Sequence, residues 1–459
     1  MAVEKEIIVA IEFGSSKIRG IAGCKNIDGS IQILDVEQMD ARNWIRKGVV
    51  YNIDKTEMCL RNITEKLEAE LDVHIARVYV GIGGKSLRTR KNTVSRQFAT
   101  KTIISQELVD SLYRTNKNIS YPGYEILDVI PQEYRVGIDM TTEPVGVLSN
   151  HIEGTYLNVI AKSEVKEYIV KSVEACGLEI AGFFIAPMAL AESVLTETEK
   201  RSGCTLVDFG AETTTVAVYK NNLLRHLAVI PLGGNNITMD ISSLQMEEED
   251  AENLKVKYGS AFSEQSSEEL SKNLLINNGR TIEERTLVDI VEAREEEILG
   301  NVATQIRNSG FQDKLISGIV ISGGAANLKN MDKAVANRIK SEKTRFARIV
   351  PLSLSAVRPE QLVKDGTLNT LLSLLNVGKM NCVEAKAVEG TMEQSAEESE
   401  EVRQEEVNDH VDTVTEPVQD KEDEAKVEEK EKEKKPKTPK IGAFKKWLQK
   451  MTDAITAEE

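Results

Sequence analysis

The chain has 459 residues, with 58 Lys/Arg against 74 Asp/Glu, four His and five Cys, for a formal net charge of −16. That acidic balance argues against a nucleic-acid partner. Cys24, Cys59, Cys176, Cys204 and Cys382 are scattered, with no CxxC or paired spacing, which argues against disulfides and structural zinc. Up to about residue 382 the chain exceeds the ~250–300 residues at which one core stops growing, so two lobes are expected.

The chain opens M-A-V-E-K-E-I-I-V-A-I, charged and then strand-like, with no apolar leader or cleavage site. The first informative segment, I-I-V-A-I-E-F-G-S-S-K-I-R-G-I, is a β-rich run that turns at Gly14-Ser15-Ser16 into a second strand. Further on, the pattern predicts a helix over residues 105–118, strands over 124–138 and 155–161, a helix over 164–177 and a strand over 178–185. P-M-A-L-A-E-S-V-L follows as a helix carrying Glu192.

C-T-L-V-D-F-G-A-E-T-T-T-V-A-V-Y repeats the strand–turn–strand pattern, with Asp208 and Gly210 at its tip. Next, V-I-P-L-G-G-N-N-I-T-M-D-I places Gly233 and Gly234 at the opening of a helix. Residues 236–305 then read as helical and rich in Glu and Lys. Finally, G-I-V-I-S-G-G-A-A-N-L puts Gly323 and Gly324 after an apolar run. Singly, each glycine segment reads as an ordinary turn. Tips of this kind can also wrap a polyphosphate in backbone N–H groups, which glycine lets approach closely. An acid at each hairpin, Glu12 and Asp208, could hold Mg²⁺ through its waters. The chain has neither a P-loop nor G-x-G-x-x-G, which disfavours a Walker NTPase or a Rossmann dehydrogenase.

Between residues 383 and 436 twenty Asp/Glu stand against eight Lys/Arg, a net of −12, and no aromatic residue occurs between Phe346 and Phe444. Such a segment buries too little apolar surface to offset its ordering entropy, so it is expected to be a disordered, self-repelling tether. Residues 437–459 then place Ile441, Phe444, Trp447, Leu448, Met451 and Ile455 on one stripe of a 3.6-period helix, flanked by Lys445, Lys446 and Lys450. The stripe is too short to span a bilayer. On a tether of this length it suits an anionic membrane interface, with Phe444 and Trp447 as anchors. One copy would bind reversibly, and an array of copies far better.

The four glycine segments, in this order, resemble the phosphate-1, phosphate-2 and adenosine motifs of the actin, heat-shock chaperone and sugar-kinase ATPase superfamily. Within it, L-L-R-H-L-A-V-I-P-L-G-G-N-N-I-T-M-D-I, D-A-E-N-L-K-V-K-Y-G, I-L-D-V-I-P-Q-E-Y-R-V-G-I-D, P-M-A-L-A-E-S-V-L and the tail resemble the FtsA family, the actin-like division proteins of bacteria. The resemblance covers nearly the whole chain. It implies an α/β fold: a two-lobed actin-like ATPase with an inserted small α/β subdomain, then the acidic tether and the amphipathic helix. Residues 1–84 and 164–204 would form the lobe 1 ATPase subdomain and 85–163 the insert. Residues 205–235 and 306–382 would form the lobe 2 ATPase subdomain, and 236–305 its helical subdomain.

Carried over, the resemblance implies ATP with Mg²⁺ between the lobes. Gly14, Ser15, Ser16 and Lys17 would surround the β- and γ-phosphates from lobe 1. Asp208, Gly210 and Thr213 would do so from lobe 2. Gly233, Gly234 and Asn235 would touch phosphate and sugar, Glu252 and Lys255 ribose and adenine, and Gly323 and Gly324 the adenine. Glu192 is a candidate for positioning the attacking water. Two departures bear on catalysis. Glu12 stands where the superfamily usually has Asp, and G-A-E-T-T-T brings Glu212 where many relatives have three glycines. The implied role is a membrane adaptor, at most a slow ATPase. It would form filaments, dock the C-terminal peptide of FtsZ on residues 236–305, tie FtsZ to the cytoplasmic face of the inner membrane and recruit later division proteins. The alternatives are an actin-fold small-molecule kinase and a nucleotide-independent membrane scaffold.

Overall fold

The computed structural model describes residues 6–264, 272–275, 280–349, 354–361 and 365–384. The tether expected over 383–436 begins later than expected, since Val383 and Glu384 form a short strand paired with Ile75 and His74; the rest of it and the helix expected over 437–459 lie outside the described residues.

Two β-sheets organise the described chain. The first has six strands in the order Glu179–Ile185, Arg77–Ile82, Ile7–Phe13, Lys17–Lys25, Ile31–Asp40 and Leu354–Ala356. Ile8, Val9, Ala10 and Ile11 are consecutive and all buried, the signature of a strand covered on both faces. Helix Ile53–Leu71 covers one face with Leu60, Ile63 and Leu67. Its Asn52 cap accepts a hydrogen bond from the Lys55 N–H at 2.9 Å. Helix Asn369–Val377 fills the other side with Leu371, Leu372, Leu374 and Leu375. The chain therefore returns to lobe 1 after building lobe 2.

The second sheet has nine strands and two functions. Cys204–Phe209, Thr214–Lys220, Leu223–Ile230, Ile319–Ser322 and Thr344–Phe346 form the core of lobe 2. Asp139–Thr141, Tyr124–Val136, Leu148–Lys162 and Arg88–Ile103 form the sheet of a subdomain inserted between the lobe 1 strands, covered by helix Gln106–Lys117. The two halves join where Ala228 pairs with Arg88. Beside that junction the Thr89 hydroxyl accepts from the Leu227 N–H at 2.9 Å. The buried Arg225 donates to the Gln132 side chain and the Glu133 carboxylate.

Local expectations meet two departures. The strand expected over 155–161 begins at Leu148, because S-N-H-I-E-G lacks strand patterning but is carried into register by Arg88–Ile103. Residues 236–305 contain the helices Gly234–Ser242, Glu248–Tyr258 and Glu284–Asn308, together with an unexpected two-stranded ribbon of Asn273–Leu275 and Thr281–Glu283. Among the described residues no helix is long and apolar enough to cross a membrane.

A clasp of charges fastens the first crossing between lobes. Both oxygens of Glu199 accept from Arg345, each at 2.7 Å, and Glu199 also closes a capping box with Thr196. Burial alone would raise its carboxyl, but Arg345 and the Thr196 N–H outweigh burial and hold it below its ordinary 4.5. A depressed carboxyl stabilises the fold above its unfolded value and loses that contribution as pH falls through the folded one. Glu199→Gln is therefore expected to cost about 1–3 kcal/mol at pH 7. Urea titrations at pH 7 and pH 4 should show the gap narrowing in acid.

Candidate functional site: a nucleotide cleft

The same turn is built twice. In lobe 1 the Gly14 N–H donates to the Lys17 carbonyl at 3.1 Å, closing the hairpin of Ile7–Phe13 and Lys17–Lys25. In lobe 2 the Gly210 N–H donates to the Thr213 carbonyl at 2.8 Å, closing Cys204–Phe209 against Thr214–Lys220. The two tips border one cavity of about 380 Å³, a volume within the usual range for small-ligand sites.

Of the residues singled out in the sequence, Glu12, Gly14, Ser15, Ser16, Lys17, Asp208, Gly210, Thr213, Gly234, Asn235, Glu252, Lys255, Gly323 and Gly324 all line this cavity. Gly233 stands behind it. A side chain there would come within 2.5 Å of the Gly210 carbonyl, so Gly233 lets Gly234 and Asn235 lie on the second hairpin. The Gly234 and Asn235 N–H groups donate to the carbonyls of Gly210 and Ala211, at 3.0 and 2.6 Å.

Lys255 is buried. Its ammonium donates to the Gly234 carbonyl at 3.1 Å, the Thr238 hydroxyl at 2.9 Å and Glu252 at 2.6 Å. The exposed i, i+3 pair that spacing alone suggests is therefore a packed bridge between helices Gly234–Ser242 and Glu248–Tyr258. Gly323 has φ 92° and ψ 162°, a region essentially restricted to glycine, and it brings the loop after Ile319–Ser322 against Phe209.

Glu192 is not brought into the cavity. Its carboxylate turns away to Lys200, at 2.9 Å, and it has no place among the lining residues. Its helix, Ala186–Val194, instead presents Ala186 and Pro187 to the cleft. The reading of Glu192 as a water-positioning group is corrected accordingly: it is half of an ion pair on the outer side of its helix.

Sequence reasoning also missed several lining residues. Arg19 is the cross-strand neighbour of Glu12. Gly48, Gly83, Gly84, Gly366, Thr367 and Thr370 line the cavity as well. G-I-G-G at 81–84 carried the same strand-then-glycine signal as the segments that were found. Glu212, conspicuous as a departure, has a definite partner. Its carboxylate accepts from the Lys47 N–H at 2.5 Å, joining lobe 2 to lobe 1 over the cleft. The neighbouring Gly48 N–H donates to the Ser15 hydroxyl at 2.8 Å.

The electrostatics of the cavity are unbalanced. Burial pushes the Asp208 carboxyl up to about 7, and the Glu12 charge adds to the shift. Burial also raises Glu12, partly opposed by Arg19. Two enclosed carboxylates that destabilise each other make a place for added positive charge. Among the described residues no three His, Cys, Asp or Glu side chains converge to enclose a metal ion. The donor set thus fits a hydrated Mg²⁺ held jointly by one or two carboxylates and phosphate oxygens, and does not fit a cation caged by protein alone.

Comparison with known proteins places the chain in a family. Residues 205–373 match the family model described as cell division protein FtsA, and residues 84–160 match that of the SHS2 domain inserted in FtsA. The cell division protein FtsA of Porphyromonas gingivalis is 30% identical over 352 residues, covering 75% of this chain and 74% of that one. The chain belongs to the FtsA family. The Escherichia coli FtsA is 28% identical over 399 residues, covering 84% of this chain and 93% of its own. Among solved structures, the PilM–PilN type IV pilus biogenesis complex aligns with a TM-score of 0.55 at 13% identity, over 81% of this chain and 99% of that one. That likeness concerns the fold, which is the actin-like ATPase fold of the FtsA family.

Proposed function

We propose that this member of a cell-division family binds ATP with Mg²⁺ between its lobes and self-associates into actin-like filaments. The filaments would hold FtsZ, through its C-terminal peptide, on the cytoplasmic face of the inner membrane and recruit later division proteins there. Residues 1–84 with 164–204 and residues 205–235 with 306–382 would act as the ATPase subdomains. Residues 236–305 would dock FtsZ, and 85–163 would be the family's inserted subdomain. The observation that carries this reading is the cavity bordered by two like hairpins, one from each lobe, with Glu12 and Asp208 short of positive charge.

In this mechanism the N–H groups of Ser15, Ser16 and Ala211–Thr213 would donate to phosphate oxygens, those of Gly14 and Gly210 closing the turns, and Lys17 would add charge from lobe 1. Glu12 and Asp208 would hold a hydrated Mg²⁺, which would supply positive charge to the phosphates. Lys255 and Glu252 fix the ribose end, while Glu212 keeps the lobes together through Lys47. Slow turnover at most is expected, since Glu192 faces Lys200 and the other catalytic candidate, Glu12, stands one methylene longer than the usual Asp. Residues 437–459 supply the membrane contact.

Co-sedimentation with anionic liposomes tests the reading directly. The intact chain should pellet, more strongly with ATP, and Trp447→Glu should remain in the supernatant. If both proteins pellet alike, the membrane role of the tail fails. If pelleting ignores ATP, the nucleotide-independent scaffold is favoured.

A further inference from the structure

A turn in lobe 1 reaches across the cleft. The segment after Asp40 folds as the small hairpin Ile45–Arg46 and Val49–Val50, whose two-residue turn is Lys47-Gly48. Both turn residues have positive φ, 52° for Lys47 and 70° for Gly48. Glycine takes that conformation freely. Lysine takes it at a cost, and such strain persists only where the surroundings impose it. Here lobe 1 holds the turn from several sides. The Ala41 N–H donates to the Ser16 carbonyl at 2.9 Å and the Gly48 N–H to the Ser15 hydroxyl at 2.8 Å, fastening the segment to the lobe 1 tip. The Lys47 carbonyl accepts from the Lys85 N–H at 2.9 Å, and a side chain on Gly48 would come within 2.7 Å of the Gly84 backbone.

The donor that this braced turn presents to lobe 2 is the Lys47 N–H, and the Glu212 carboxylate takes it at 2.5 Å. The bridge stands at the border of the cavity and not inside it. Gly48, Ala211 and Thr213 line the cavity, whereas Lys47 and Glu212, their neighbours in the chain, do not. A second attraction runs alongside: Asp40 and, from lobe 2, Glu248 and Glu249 all favour the charged form of Arg42 on the same segment. A contact outside the ligand's space acts on the filled and the empty cleft alike. It adds the same free energy to the closed state in both, so it leaves the binding equilibrium nearly unchanged and slows entry and exit together.

We propose that the Lys47–Glu212 bridge is a strap over the nucleotide cleft, one that sets how fast ATP enters and leaves and not how tightly it is held. The inference rests on the nucleotide reading given above and concerns the regulation of that same site. The strap is fastened in the empty cleft, must open to admit a nucleotide, and closes again over it without touching it.

The test is the pair of rates, measured by stopped flow with a fluorescent ATP analogue and Mg²⁺, for the full chain, Glu212→Ala and Glu212→Gln. Glu212→Ala should raise association and dissociation by about 10-fold each, the worth of one charge-assisted hydrogen bond, and change Kd by less than about 3-fold. Glu212→Gln keeps an oxygen that can accept from Lys47 but loses the charge, and its rates should fall between. It also stands in if Glu212→Ala fails to fold, which a thermal melt without ligand reports. Hydrogen exchange without nucleotide reads the bridge itself. The Lys47 amide should be protected in the intact chain and exchange about 10-fold faster in Glu212→Ala, while the Gly14 and Gly210 amides, bonded within their own hairpins, should not change. Unchanged rates would overturn the proposal. So would faster dissociation alone with Kd weakened in proportion, which would make Glu212 part of the binding site. If the intact chain fails to bind ATP even with Mg²⁺, the nucleotide reading falls and the strap's role falls with it. Rates that ignore Glu212 while binding persists remove the strap alone and leave that reading standing.

Discussion

Asp208→Asn is expected to do two opposite things: to weaken Mg²⁺-dependent ATP binding by about 100-fold or more and to make the ligand-free protein more stable at pH 8. The first follows from losing one of the two carboxylates that face the phosphate tips. The second follows from burial. Asp208 is enclosed, its carboxyl is pushed up to about 7 by that burial and by the Glu12 charge, and ionising it in the empty cleft is unfavourable. Because the folded value lies above the unfolded one, the folded chain holds the extra proton between about pH 4 and pH 7. Stability from this group is therefore fully present in acid and lost as pH rises through 7. Asparagine cannot ionise, so at pH 8 the variant should gain roughly 1–3 kcal/mol, and near pH 4 the two should converge. Denaturant titrations across that range, paired with ATP binding at pH 7.5, measure both effects. A variant that binds Mg²⁺-ATP normally would remove Asp208 from the metal side of the site.

The other large effect is expected at Gly323. Its φ of 92° with ψ of 162° belongs to a region that side chains exclude, and a Cβ would come within 2.3 Å of the Phe209 carbonyl oxygen and 2.7 Å of the Asp208 carboxylate. Both obstacles lie on the strand that carries the second phosphate tip, so neither can move without disturbing the site. Gly323→Ala should cost about 3–5 kcal/mol and most nucleotide affinity. Gly324→Ala is the control. There a Cβ would meet only the Thr367 methyl, at 3.4 Å, an ordinary contact. Its cost should stay near or below 1 kcal/mol. If the two glycines behave alike under denaturant, the backbone geometry at Gly323 is not what fixes that residue.

These two sites show where the sequence was readable. Both hairpins announce themselves, since an apolar β-run ending in Gly and followed by another β-run leaves few other structures open. Gly323-Gly324 is equally plain after Ile319–Ser322. What the sequence could not convey is which side chains meet from far apart. Lys47 and Glu212 are separated by 165 positions, and only the closing of the lobes gives that glutamate its purpose. Arg19 lay inside a quoted segment, yet its relation to Glu12 is a matter of hairpin register. Glu192 failed for the converse reason. Helical position left its direction open, and Lys200, eight residues on, claimed it. Lys255 looked like a surface ion pair because its other partners, Gly234 and Thr238, sit on a different helix.

The nine-stranded sheet has a mechanical consequence. Its inserted half springs from lobe 1, where the Lys162 N–H meets the Ser86 hydroxyl at 3.2 Å, yet it is hydrogen-bonded edge to edge with lobe 2 through Arg88 and Ala228. Past Thr89, whose hydroxyl still meets Leu227, strand Arg88–Ile103 runs on for fourteen residues with no further backbone pairing to lobe 2. The insert is thus a lever with its pivot on one lobe and its long arm free. A rotation of a few degrees between the lobes, gripped at Arg225, Thr89 and Ala228, would be delivered at the far end of the insert as a displacement of several ångströms. Any rotation of the lobes produced by a ligand in the cleft would therefore be felt at a surface far outside it.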